Sequence, residues 1–345
     1  MKNIGEPFAG NTKAVHEILA CYGLKARHFR PFRKVLKVQT SCGTKALKRS
    51  RLTADELLFI HEAKEHLWGK GFVYTDRFLT TQKNEPFAII EKSVYTLTDW
   101  IAGSREFDYD APGDLLIATF MMAHFHEMSA GFFPKTLPTE RLLWANWPDR
   151  YQHRLAQLSE FYQLAERKKR KSNFDGRFLS HFEYFYRQGE LFLKLLPQSS
   201  YRRISAEGMR RGEFCHHDFS PRNLLHAPNH KIYLIDFDYC ICEIRLHDLG
   251  SLLIRNMKTN GWDLELAVYI LKNYHNSYAL TREEFDVLWL FMMWPQDFWQ
   301  VGLQYYKEKQ PWPKKRFYQS LQKKIKDIRP REVFLNRFPD LWPLK

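Results

Sequence analysis

The run FCHHDFSPRNLL, residues 214–225, followed by KIYLIDFD at 231–238, constrains the fold of this chain more than any other feature. Between apolar flanks at Phe214 and Leu224-Leu225 it packs two histidines, an aspartate, an arginine and an asparagine. Polar groups at that density are costly to bury unless each finds a partner. The turn APNH, 227–230, separates Leu224-Leu225-His226 from an apolar strand that ends in Asp236 and Asp238. The two pieces read as a β-hairpin, which brings Asn223 and Asp236 together.

The spacing from His216 through Asp218 to Asn223 fits the catalytic-loop template H-R-D-x-x-x-x-N, with the second position changed to His217. In that chemistry the aspartate accepts or orients the proton of an attacking hydroxyl, and the asparagine turns back to hold a metal ion. Asn223 and Asp236 offer hard oxygen ligands, which suit Mg²⁺ shared with the phosphates of a nucleotide. Asp238 is either a second metal ligand or a strand-end cap. His216 is expected to brace the loop by hydrogen bonding. A zinc site at His217-Asp218 would lack a third clustered ligand.

Upstream, residues 13–22 read as a short helix ending at Gly23. VLKVQT, TKALKRS, PFAIIEK and SVYTLTDWI are β-prone runs, with a helix over 53–68 between the second and third. Thr53 is its N-cap, Glu56 sits at N3, and Gly69 and Gly71 end it. After Gly103 the pattern turns helical, over 113–129, 148–171, 177–196, 262–280, 283–308 and 314–328. The expectation is an α+β, two-lobed, protein kinase-like fold. Its N-lobe, residues 1–99, holds a small β-sheet and one main helix. Its mostly helical C-lobe, residues 100–345, carries the catalytic-type loop and the metal-binding hairpin. Lys48 falls late in a strand, where the phosphate-binding lysine of kinases belongs. Of Glu56, Glu62 and Glu65 on the following helix, Glu62 is the expected lysine partner, because Glu56 serves as a cap. Asp99-Trp100-Ile101 would form the hinge whose backbone bonds an adenine.

The remaining features bound the partners. No apolar run approaches the roughly 20 residues of a membrane span, and the first 19 residues have no apolar stretch of a secretory signal. The five cysteines are scattered apart from Cys240 and Cys242 and read as reduced thiols. A formal net charge of +14 favours acidic partners. The basic runs at 167–171 and 314–331 each read alone as solvated helix faces. No nucleic-acid motif accompanies them, so a nucleic acid is not the expected partner.

The quoted segments, with ALKRS, EHLWGKGF (65–72), LTDWIAGSREF (97–107), AHFHEMSAGF (123–132) and YLIDFDYCICEIRLHDLGSLL (233–253), resemble the aminoglycoside phosphotransferase and choline kinase superfamily, and within it the CotS family of spore coat proteins. The resemblance implies Asp218 as catalytic aspartate, Asn223 and Asp236 as metal ligands, Lys48 as phosphate-binding lysine, and Asp248 as a brace of the catalytic loop. It implies ATP and Mg²⁺ as cofactors and other spore coat proteins as partners. It also implies synthesis in the mother-cell cytoplasm followed by residence in the coat. The acceptor would be a small hydroxylated molecule or a coat protein. The alternative is a catalytically weak or inactive kinase-like scaffold. Two departures favour that alternative: His217 stands where the family has glycine, and FRPFRKVLKVQ, over the phosphate position, has no glycine.

Overall fold

Alternating burial along two consecutive strands, over 35–40 and 43–50, marks the middle of the first sheet. A computed structural model describes residues 12–344; the first eleven, part of the stretch read above for a secretory signal, lie outside the described residues. Strands β1 (Ala26–Phe32), β2 (Val35–Thr40), β3 (Gly43–Ser50), β4 (Ala88–Ile90) and β5 (Ser93–Asp99) form an antiparallel sheet in the order β1-β2-β3-β5-β4. The amphipathic helix α1 (Thr12–Cys21) covers one face, where Val15, Ile18 and Leu19 pack with Leu36, Val38, Leu47 and Leu97. Because side chains alternate along a strand, burying Leu47 beneath α1 turns Lys48 to the opposite face.

β1 had no signal in the sequence. It is an edge strand whose side chains are mostly exposed and which contains Pro31, so it carries no apolar alternation. Arg33-Lys34 forms the two-residue turn to β2, with Arg33 at φ +52°.

Helix α2 (Ala54–Gly69) follows β3 and starts with the expected capping box between Thr53 and Glu56. A second antiparallel sheet pairs β6 (Arg105–Glu106), β7 (Leu224–His226) and β8 (Ile232–Leu234) in that order, with Leu224 opposite Leu234. The hairpin read from the sequence is thus present. Helix α3 spans Pro112–Ser129.

The chain forms two compact units. One holds the residues up to Ala118, Phe125–Leu142 and Gly212–Cys242. The other holds Thr119–His124, Leu143–Arg211 and the chain from Glu243 onward. Helices α4 (Trp147–Glu166), α5 (Asn173–Leu195), α6 (Tyr201–Arg211), α7 (Leu246–Thr259), α8 (Leu264–Ser277), α9 (Arg282–Met293), α10 (Gln296–Tyr306), α11 (Lys314–Lys326) and α12 (Ile328–Arg337) lie in the second unit. The single helix expected over 283–308 is two, because Pro295 lacks the N–H that would continue α9 and disfavours helical backbone at Trp294. α6, α7 and α12 were not foreseen: α6 is strongly polar, α7 was read only as a motif, and α12 lies beyond the helix expected over 314–328.

α7 and α9 approach closely at Gly250, where a Cβ would lie 2.4 Å from Phe291 Cδ1 and 2.7 Å from its Cε1. Alanine normally gains about 1 kcal/mol over glycine inside a helix. Here the rigid phenyl must shift, which costs about 1–3 kcal/mol. Gly250→Ala is therefore expected to lower stability in urea denaturation; a stabilised variant would refute the close packing.

Candidate active site

All the expected catalytic and metal-binding residues except Asp248 belong to the first unit. Asp248 lies buried in α7, in the second unit, with His247 Nδ1 4.0 Å from its Oδ1.

The loop at 214–223 is held by its own flanks. Cys215 and Ile241 exchange both backbone hydrogen bonds, at 2.8 and 3.0 Å, which ties the loop entrance to the chain beyond Asp238. His216 is fully buried among Phe125, Phe219 and Phe237. Its Nε2 lies 3.0 Å from the Ile235 carbonyl, which can only accept, so this nitrogen carries the proton. Nδ1 is then the acceptor for the Asp218 N–H at 3.4 Å. One imidazole thus joins the backbone before Asp218 to the backbone before Asp236. The bracing role expected of His216 has a specific geometry.

Asn223 donates its side-chain amide to the Asp218 carbonyl at 2.8 Å and to Asp218 Oδ2 at 3.0 Å. The amide nitrogen is thereby committed to Asp218, which leaves Oδ1 as the oxygen lone-pair end of the side chain. The Asn223 carbonyl accepts from Ile235 N–H at 2.9 Å, one residue before Asp236. Asp236 itself sits at φ 64°, ψ 63°, in the left-handed region that non-glycine residues rarely occupy. Such strain, of order 1–3 kcal/mol, persists where the surroundings dictate it and is common at functional positions.

Lys48 Nζ lies 2.7 Å from Asp236 Oδ1 and 2.7 Å from Asp238 Oδ2. Burial alone would lower its pKa, but the charges of Asp238 and Asp236 outweigh that and raise it. The Asp236 carboxyl is pushed up by burial and down by Lys48, and the net shift is downward. Both groups are therefore charged at neutral pH. The cation expected at a phosphate and the carboxylate expected at a metal are neighbours.

The partner expected for Lys48 on α2 is not Glu62. The buried stripe of α2 runs through Leu57, Ile60, Lys64 and Leu67, and Glu62 lies off it. Its carboxylate instead accepts the backbone N–H of Lys135, at 2.6 Å, and of Thr136. Glu65 pairs with Arg77, and Glu56 with Arg141 as well as the helix cap. What α2 does place beside the site is Lys64, 1% exposed, which donates to the Asp76 carbonyl at 2.8 Å and pairs with its carboxylate at 2.9 Å. Asp76 Oδ2 in turn accepts the Asp236 N–H at 3.2 Å. Arg141 donates to the carbonyls of Asp238, at 2.6 Å, and Cys240, at 3.0 Å. Lys64, Asp76 and Arg141 were missed because nothing local marks them: each acts on Asp236 or Asp238 from far away in the sequence.

The hinge residues divide. Trp100 N–H is taken by the Thr44 carbonyl at 3.0 Å, so it is not a donor to a base. Asp99 pairs with Lys45, and the Ile101 carbonyl accepts the Ser104 hydroxyl. His217 stands at φ +68°, which explains why a glycine is favoured there: an L side chain pays about 1–2 kcal/mol for that backbone.

The description "Spore coat putative kinase YutH" names a family whose model matches residues 16–338, nearly the whole chain. The chain belongs to this family. It is also 28% identical, over 95% of its length and 94% of the relative's, to "Spore coat protein S" of Bacillus subtilis (strain 168). The resemblance read from ALKRS, HHDFSPRNLL and IDFD is thereby borne out. Among solved structures, an aminoglycoside phosphotransferase from Alicyclobacillus acidocaldarius superposes with a TM-score of 0.78 at 22% identity, covering 94% of this chain and 95% of that one. A spectinomycin phosphotransferase solved with ADP and spectinomycin gives 0.65 at 13% identity, over 93% and 98%. The fold of this spore coat family member is the expected kinase-like one. No described helix is long and apolar enough to cross a membrane.

Proposed function

We propose that this chain is an ATP- and Mg²⁺-dependent phosphotransferase of the spore coat that acts on a hydroxyl acceptor. The observation that carries the reading is the pair of contacts Asn223 Nδ2 to Asp218 Oδ2 and Lys48 Nζ to Asp236 Oδ1. Both contacts lie in one compact unit, which supports reading Asp218 as the base, Asn223 and Asp236 as the metal ligands and Lys48 as the phosphate-binding cation. Asp236, Asn223 and Asp238 present oxygen donors only, which fits Mg²⁺ and not a soft metal. When bound, the ion neutralises charge on the transferring phosphoryl group. Asp218, held by Asn223, orients the acceptor hydroxyl and receives its proton. Lys48 would supply the cation for the phosphates, while Lys64 and Asp76 hold the backbone of Asp236 in place.

Family membership and the relative named Spore coat protein S support residence in the coat, after synthesis in the mother-cell cytoplasm, with other coat proteins as partners. The acceptor is a small hydroxylated molecule or a hydroxyl of such a protein. The glycine-free β1–β2 turn and the committed Trp100 N–H favour a second reading, a catalytically weak or inactive kinase-like scaffold. Incubation of the full chain with γ-labelled ATP, Mg²⁺ and spore-coat extract separates the two. Label transferred only with Mg²⁺ present is the expected result. No transfer at saturating ATP would discard the enzyme and leave the scaffold.

A further inference from the structure

We propose that one end of the helical unit is a docking surface for an acidic polypeptide segment. Two basic runs far apart in sequence meet there. Residues 166–172 and 305–316 carry ten lysines and arginines against two glutamates. The fold brings them together through Tyr305, whose ring stacks on Phe174 at 4.0 Å and whose hydroxyl lies 3.0 Å from Ser172 Oγ. Phe317 of α11 closes the same cluster, 5.2 Å from both Tyr305 and Trp312. The α4–α5 loop, the end of α10 and the start of α11 therefore form one surface.

Few of these charges are neutralised. Lys168 is drawn inward to Asp175, Lys171 lies 3.7 Å from Glu166, and Lys307 pairs with Glu160. Arg167, Lys169, Arg170, Lys309, Lys314 and Lys315 are exposed and make no ion pair among the described residues. The first turn of α11 holds Lys314, Lys315 and Arg316 and no acidic residue, an arrangement that opposes the helix dipole and costs stability. A solvated face has no need of that cost. An anionic partner relieves it and gains from focused attraction.

The chemistry favours a carboxylate-bearing chain over a nucleic acid. Single strands bind on open aromatic faces, and here the rings are occupied: Lys168 and Phe174 lie against Tyr305, and Arg316 lies 4.1 Å over Trp312.

The test uses the full chain and a labelled oligoglutamate at about 150 mM salt, read by fluorescence anisotropy. A patch variant combines Lys169→Ser, Arg170→Ser, Lys309→Ser and Lys315→Ser. A control variant removes the same charge elsewhere, with Arg27→Ser, Arg30→Ser, Lys83→Ser and Lys92→Ser. All eight side chains are exposed, so both variants are expected to fold. The patch variant should bind at least about tenfold more weakly than wild type, and the control within about twofold. Equal weakening by the two variants, no binding by wild type, or tighter binding of a duplex DNA of matched charge would overturn the proposal.

Discussion

Asp218→Asn is expected to reduce phosphoryl transfer by about 10²–10⁴-fold, the usual contribution of a positioned general base. Asparagine keeps the size of the side chain and a carbonyl oxygen that can still accept from Asn223 Nδ2, now 3.0 Å from Asp218 Oδ2. It cannot take the acceptor's proton. The backbone bond from Asp218 N–H to His216 Nδ1 does not depend on the side chain, so the loop should keep its shape. Nucleotide affinity should change little, since Lys48, Asn223 and Asp236 are untouched. The signature is therefore a fall in kcat with KM for ATP nearly unchanged. Labelling at the wild-type rate by the variant would remove Asp218 from the chemistry.

Arg245→Met should give the largest loss of stability, about 3–5 kcal/mol, because it strips the partner from a buried carboxylate. Arg245 and Glu284 are each about 5% exposed, and the guanidinium reaches Glu284 through Nε at 3.0 Å and Nη2 at 2.7 Å. It also donates to the carbonyls of Ala279, at 2.7 Å, and Tyr278, at 3.3 Å, and lies 4.0 Å over the Tyr278 ring. Glu284 serves at the same time in the capping box that starts α9. Arginine thus ties the start of α7 to the loop before α9. Much of the loss reflects the stranded charge, so Arg245→Met with Glu284→Gln should cost less than the two single changes added together. Urea denaturation measures all three variants. A loss under about 1 kcal/mol for Arg245→Met would show that the network is not satisfied as described.

What was legible in the sequence was what short stretches encode. Asp218, Asn223 and Asp236 stand out because a loop, a turn and an apolar strand follow one another within 23 residues, 216–238. Lys48 stood out because it falls late in a β-prone run, where the phosphate-binding lysine of kinases belongs, and the burial of Leu47 sets its face. The choice of Glu62 failed for a tertiary reason. Three glutamates occupy one helix, and only distant groups, the 135–136 backbone, Arg77 and Arg141, decide what each one touches. Lys64 looked like an ordinary helix lysine, although the fold buries it against Asp76 and Phe78. The break at 294–295 could have been read from Pro295, but the apolar run VLWLFMMW masked it. Arg245 was noticed only as part of a motif, since no pattern in sequence announces a buried cation.

The most direct test of the nucleotide site is calorimetric titration of the full chain with ATP, with Mg²⁺ present and with Mg²⁺ chelated, on wild type and Asp236→Asn. Wild type should bind with a Kd below about 1 mM, the range of kinase substrates, and only when Mg²⁺ is present. Asp236→Asn should weaken that binding at least about tenfold through loss of a metal-facing carboxylate. Absence of binding by wild type, or binding unaffected by both chelation and Asp236→Asn, would contradict the assignment of Lys48, Asn223 and Asp236 to a Mg²⁺-nucleotide site.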